Sequence, residues 1–412
     1  IERITYAYDT ATGIVKGPLS VKVSKNRATG NQSFGYSGGG SPAGNRSSIE
    51  RIDYSNDTAV GSVRSSLHAA LSYMGASSAR SHALPIVGST VSEFTNIVTR
   101  QYYPSSQRGY FAAGMNPVQS KVERITYAND TATAILKGPL SYSNKFGAAA
   151  GNQNYAYYTG GGYPAVSNID RIDYANDDAT ATPKGNLSAT RYRHGAVGNK
   201  DFGWFAGGYN KKSSMDRIDY SNDTATASPR GFLSDGRDYL SGSGNMNYGW
   251  FGGGTEGGSP SDPGTSMVDR IDYGNDTATA SPKGPLSSAR TYISSTGNKD
   301  YGYWGGGQSQ AHPGTEYSTV DRVDYSNDTA TATVKGPLAT TRSVGAATGN
   351  KDFGYFAGDY PAGPAASWQQ GIDRIDFSND TATALVKGAL ISKKYIMASF
   401  SGGENGLPQF GG

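Results

Sequence analysis

Cysteine is absent from the 412 residues, which removes disulfides and thiolate metal sites from any account of stability or chemistry. Histidine is scarce. His68, His82, His194 and His312 are the four present, and no two stand at ligand spacing. No apolar run approaches the ~18 residues of a membrane-spanning helix, and no stretch sustains the 3.6-residue apolar period of an amphipathic one. Charge of either sign is not in excess: the net value of +3 is too weak to imply nucleic acid or an anionic membrane as partner. His-Glu-x-x-His, Walker, Gly-x-Ser-x-Gly and EF-hand patterns are all missing. No catalytic residue, metal or cofactor is therefore expected, and no membrane insertion.

Glycine and aromatics are abundant. The 57 glycines are about twice the usual share of roughly 7%, without the three-residue period of collagen. Disorder is disfavoured by 29 Tyr, 13 Phe and 4 Trp, whose area can drive burial. Many tight turns remain as the explanation. A phrase of the form Ile-Asp-Arg-Ile-Asp-Tyr-x-Asn-Asp-Thr-Ala-Thr-Ala begins, with variation, at Ile1, Ile49, Val122, Ile169, Met215, Val268, Val320 and Ile372. Successive starts lie 46 to 53 residues apart, except for 73 between Ile49 and Val122. Periods near 50 with strand-like content indicate propeller blades.

One repeat shows the parts. Arg290 to Ser295 reads as a first strand and Tyr301 to Trp304 as a second, closed by Gly305-Gly306-Gly307. Val320 to Tyr325 reads as a third, turned by Asn327-Asp328 into a fourth, Thr329 to Val334. The fourth is expected at an edge, because its equivalents end in Pro183, Pro229 and Pro282 and proline cannot donate to a ladder. The fold class expected is all-β, one eight-bladed propeller over 1–412. The chain opens on strands three and four and finishes on strands one and two. Residues 1–20 are thus expected to complete the blade begun at 391–412, seven blades with loose ends being the alternative. An opening inside a repeat at Ile1, without methionine, is what a processed product or a piece of a longer chain would show; any export signal would lie upstream.

Two residues recur in every repeat: Arg3, Arg51, Arg124, Arg171, Arg217, Arg270, Arg322 and Arg374, then, six positions on, Asp9, Asp57, Asp130, Asp177, Asp223, Asp276, Asp328 and Asp380. Residues six apart on a strand share a face. The expected role is a structural ion-pair ring that orients each hairpin against its neighbour, since an eightfold feature serves an eightfold structure; capture of an anion by the arginines is the other reading. A second series, Lys16, Arg64, Lys137, Lys184, Arg230, Lys283, Lys335 and Lys387, precedes the exit from strand four. It reads either as a docking face or as edge charge that discourages sheet-to-sheet pairing.

Arg290, Gly306-Gly307 and Asp324-Tyr325 resemble the first-strand Arg, the Gly-Gly and the third-strand pair of the kelch repeat, although strand four has Ala and Thr where kelch repeats usually place Trp. The wording Asp216-Arg-Ile-Asp-Tyr-Ser-Asn-Asp-Thr-Ala-Thr-Ala227, with Lys283-Gly-Pro-Leu-Ser287, also resembles repeats of virion structural and tail-fibre-like proteins of marine bacteriophages. That resemblance implies a virion or an extracellular surface as location, and as partners other virion or surface-assembly proteins, host glycan or envelope protein. Specificity is expected where repetition fails: the insertion at about 76–107 with Tyr102 and Tyr103, and the loops 255–265, 308–319 and 359–370 with Tyr317, Tyr360 and Trp368. Exposed aromatics on proline-stiffened loops suit sugar stacking or protein docking. The function expected is non-enzymatic recognition through these loops; the alternative is a purely structural, decorating component of a viral particle or extracellular filament.

Overall fold

The structure, a computed structural model, describes residues 1–3, 14–24, 26–30, 34–41, 46–71, 104–162, 164–256, 262–310, 314–343, 345–359 and 370–403. Every regular element among them is a β-strand or a single-turn 3-10 helix, so the fold is all-β, and its sheets are propeller blades. They fall into two compact units, Ile1–Thr95 and Asn96–Gly412, where one propeller over the whole chain was expected.

A blade of the larger unit is built as its sequence dictates. Ala148–Gly151, Tyr155–Thr159, Ile169–Asp173 and Thr182–Pro183 are hydrogen-bonded in chain order, all antiparallel. The first strand is short and small-sided because it lines the axis. The second carries Ala156, Tyr157 and Tyr158 buried in succession, since a blade is covered on both faces. The fourth ends in exposed Pro183, at the edge. Between strands three and four Tyr174–Asn176 makes one 3-10 turn, and Asp173 caps it by accepting from Ala175 N–H. The same four-strand order restarts at Gly195, Ser241, Ser294 and Ala346.

The sixth blade closes the ring. Arg108–Ala112, Val122–Thr126 and Ile135–Lys137 supply strands two to four, and Ala398–Phe400 from the far end of the chain supplies strand one, with Ala398 opposite Ala112 and Phe400 opposite Tyr110. First strands then pack in cyclic order from 148–151 round to 398–400 and back to 148–151. An aromatic series follows the same circle. Each second-strand ring stacks on the turn aromatic of the next blade: Tyr110 on Tyr174, Tyr157 on Tyr220, Trp204 on Tyr273, Trp250 on Tyr325, Tyr303 on Phe377 and Tyr355 on Tyr127, with centroids 3.9 to 4.9 Å apart.

This corrects the expected closure. Within the larger unit six blades close the ring, and the strand at 398–400 pairs with 108–112, while the described strands of 1–20, Glu2–Arg3 and Ile14–Val15, pair with each other. The reason is strand supply. A first strand hydrogen-bonds to a second, and the hairpin of residues 1–20 begins on strand three. The 108–137 segment offers a second strand with Tyr110 and Phe111 buried, and takes its first strand from the far end of the chain. Most of the 76–107 insertion lies outside the described residues; Pro104–Gln107 is a 3-10 turn that leads into Arg108.

The smaller unit has one four-stranded sheet, Arg27–Gly30, Phe34–Gly38, Arg46–Asp53 and Ser62–Leu71, and a two-stranded one, Glu2–Arg3 with Ile14–Val15. Arg3 and Lys16 of the latter both reach Asp57 of the former.

Candidate functional site

The recurring charges join one blade to the next. In the cross-strand register Tyr157 faces Arg171, so both side chains leave the same side of the sheet. Both arrive at one oxygen of Asp223 in the following repeat, Tyr157 Oη at 2.9 Å and Arg171 Nη1 at 2.8 Å, while Lys184 Nζ lies 3.1 Å from the other. The node repeats as Arg124 to Asp177, Arg217 to Asp276, Arg270 to Asp328, Arg322 to Asp380 and Arg374 to Asp130, at 2.7 to 2.9 Å. Trp204 and Trp250 donate through Nε1 where other blades use Tyr. Burial pushes the Asp177 and Asp223 carboxyls up, but the hydrogen bonds from Lys, Tyr and Arg outweigh it, and both sit below the usual carboxylate value. The second cationic series is therefore neither a free docking face nor edge charge in these nodes: Lys137, Lys184, Arg230, Lys283, Lys335 and Lys387 all reach the node carboxylates. The glycine after each lets the backbone close in. Gly138 N–H donates to Asp177 O, and a Cβ there would collide with Ala179 O. Arg51 packs over Phe34 at 4.3 Å, and Asp130, the node of the repeat that follows it, is held by Arg374. Asp9 lies outside the described residues.

A second, deeper set of charges was visible in the sequence only as a first-strand Arg. Arg191, Arg237, Arg290, Arg342 and Lys394 are buried against Asp216, Asp269, Asp321, Asp373 and Glu123. The guanidinium also donates to the first carbonyl of the glycine pair, as Arg290 does to Gly306 O at 2.6 Å, which is why Arg and Gly-Gly recur together. One repeat departs. Asn144 replaces the cation, and Asp170, fully buried, accepts only from Ser141 N–H and Oγ–H among the described residues. Burial without a cation raises its pKa.

The axial channel is where the repeats diverge. Phe146, Arg193, Tyr239, Tyr292 and Ile396 stand two residues before the first strand of their blades, and all have φ between 55° and 61°; Val344, the sixth, lies outside the described residues. Left-handed backbone at non-glycine residues is strained by ~1–3 kcal/mol. Here it is held by bonds around the ring: Phe146 N–H to Ile396 O, Arg193 N–H to Phe146 O and Tyr239 N–H to Arg193 O, at 2.8 to 3.3 Å. The conformation turns these side chains toward the mouth of a cavity of about 130 Å³, walled further in by Ala149, Ala196, Gly242, Ser295, Ala347 and Ser399. The Arg193 guanidinium lies 4.4 to 5.2 Å from the rings of Tyr239, Tyr209, Tyr192 and Phe146. Its ion pair is long, 3.4 Å to Asp238 Oδ2, and Asp238 Oδ1 is buried without a hydrogen-bond partner among the described residues. His194, on the cavity wall, is fully buried; desolvation, with Arg191 and Lys212 nearby, drives its pKa well below the imidazole value, so the ring is neutral. Sequence reasoning missed Arg193 and Asp238. The available signal was their charge at positions that are aromatic or aliphatic, or polar and uncharged, in most other repeats.

Burial lifts the Asp238 pKa to about 6, the Arg193 charge opposing the shift only in part. A raised carboxyl destabilises the fold once ionised, so stability contributed by this group is present below pH ~4 and lost as pH rises through about 6. Asp238→Asn is expected to flatten the pH dependence of the melting temperature between pH ~4 and ~6 and to raise stability by ~1–3 kcal/mol above pH 7, read by thermal unfolding across that range. An unchanged profile would assign the pH dependence to other groups.

Of the loop aromatics expected to bind ligand, Tyr317 is half-buried, its N–H on Gly307 O and its carbonyl accepting from Arg342 N–H. Tyr102, Tyr103, Tyr360 and Trp368 lie outside the described residues. Loops 255–265 and 308–319 meet, with Gly264 N–H on Ser309 O at 2.8 Å. Thr255 pairs with Asp238, so these loops share the face that bears the channel mouth.

No family model and no curated protein matches the sequence. Among solved structures the chain is similar to that of YjhT, with 11% identity and a TM-score of 0.56, over 68% of this chain and 95% of that one. At such identity the likeness is one of fold, and it agrees with what the strand order shows by itself: the chain is an all-β propeller protein.

Proposed function

We propose that the chain is a non-catalytic recognition module of a virion or extracellular surface, binding glycan or protein through the face that carries the channel mouth and the long second-to-third-strand loops. One observation carries the reading. The residues that repeat are consumed in joining blades, whereas the departures Arg193 and Asp238 meet on one face, beside the loops 255–265 and 308–319. A decorating role, with other virion or surface-assembly proteins as partners, is favoured instead by the share of the sequence devoted to blade-to-blade nodes. A glycan array with the full chain separates the two. The expected result is binding that falls at least ~10-fold in Tyr317→Ala or Tyr239→Ala. A chain that binds nothing on the array or on host surfaces, yet is stoichiometric in purified particles, would establish the decorating role.

A further inference from the structure

Arg193 sits at a ring position that the scaffold fills elsewhere with Phe146, Tyr239, Tyr292 and Ile396, so closure of the ring does not require a cation there. Its donors are poorly used by comparison with the structural arginines. Arg237 directs its terminal nitrogens to Gly253 O, Met267 O, Phe251 O and an Asp269 oxygen at 2.7 to 3.5 Å. Arg193 has five N–H donors and one contact of 3.4 Å to Asp238; its buried Nε, like that of Arg237, has no hydrogen-bond partner among the described residues, so the difference lies in the terminal nitrogens. Among the described residues no carboxylate lines the cavity, and the neutral His194 adds no charge. The Arg193 side chain is 22% exposed, and the aromatic rings beside it lower the local dielectric and so strengthen its attraction for an anion. Half-buried Tyr292 packs on buried Tyr239, 3.8 Å apart by centroid, and is the aromatic ring of this pair left partly open. Beyond them the wall carries the hydroxyls of Ser241 and Ser295, which are 2.7 Å apart.

An anionic head, a flat apolar face and several hydroxyls are the three features that this arrangement complements. We propose that the channel mouth binds the carboxylate-bearing sugar unit of an acidic glycan, the carboxylate on Arg193, the C–H face of the pyranose on Tyr292, and its hydroxyls toward Ser241 and Ser295. This rests on the recognition reading above and narrows it to one ligand class. Asp238, itself buried, positions Arg193 and does not touch the sugar.

The test is titration of the full chain with methyl glucuronide, methyl glucoside and acetate, followed by ligand-observed NMR. Methyl glucuronide is expected to bind at least ~10-fold more tightly than either of the others. Arg193→Gln is expected to abolish the preference, and Arg193→Lys to lose at least ~5-fold because the charge remains but the planar fork does not. Equal binding of glucuronide and glucoside, equal binding of glucuronide and acetate, or an Arg193→Gln variant that keeps the preference overturns the proposal. Should the variants not fold, the three-ligand comparison on the unaltered chain still decides it. Neutral glycans bound on the array without glucuronide preference overturn this site alone; no glycan or protein bound at all overturns the recognition reading as well.

Discussion

Deleting residues 1–95 is expected to leave a chain that unfolds in one cooperative transition, with a melting temperature within ~5 °C of the full protein's main transition. Deleting residues 391–412 is expected to abolish that transition. The asymmetry follows from closure. Ala398–Phe400 is the first strand of the blade at 108–137, and without it the second strand loses its inner partner and the channel its sixth wall. A double-mutant cycle gives the same answer with less disruption. Arg374 and Asp130 are 2.7 Å apart, their side chains 18% and 9% exposed, so a coupling of ~1–3 kcal/mol is expected between them. An eight-repeat ring would reverse the result, because Arg374 would then face Asp9. Circular dichroism and denaturant melts of the four variants suffice to read it.

The second large effect lies at the same seam. Lys394 and Glu123 have fully buried side chains 3.0 Å apart, and Glu123 Oε2 also accepts from Ile391 N–H at 2.7 Å. Lys394→Met leaves the carboxylate buried without its cation, and a loss of ~3–5 kcal/mol is expected, read as a lower denaturant midpoint at constant slope. The other blades use Arg with Asp in this place, as in Arg237 with Asp269, so the reach of cation and acid together is what is fixed. Lys394→Arg with Glu123→Asp should therefore recover most of what either single change loses. Full stability in Lys394→Met would mean that the pair contributes nothing to closure. The repeat with Asn144 and Asp170 shows the alternative a blade can adopt: the acid stays, two hydrogen bonds from Ser141 hold it, and its pKa rises.

Much of the blade was legible from residues alone. Proline at the ends of Thr182–Pro183 and Ser281–Pro282 placed these strands at the edge, and the paired aromatics of Phe202–Ala206 announced a strand buried on both faces. Arg171 and Asp177 were readable as structural because they recur. Which acid each arginine meets in the neighbouring repeat, Asp223 for Arg171 and Asp177 for Arg124, was not, since identical repeats offer several equivalent partners. Arg193 and Asp238 escaped notice for a related reason: they are 45 residues apart, each unremarkable in its own repeat, and only the stacking of two blades brings them to one mouth.

The sequence by itself determined the local unit: strand lengths, turn chemistry, which strand faces solvent, and that neighbouring units present matching charges. Only the tertiary structure decided how many units enter the ring and which ends meet. Every repeat carries the same adhesive residues, so local chemistry is satisfied equally by circles of different size. The choice rests on a non-local match, a first strand at 398–400 joined to the second strand at 108–112, and no periodicity along the chain encodes that distance.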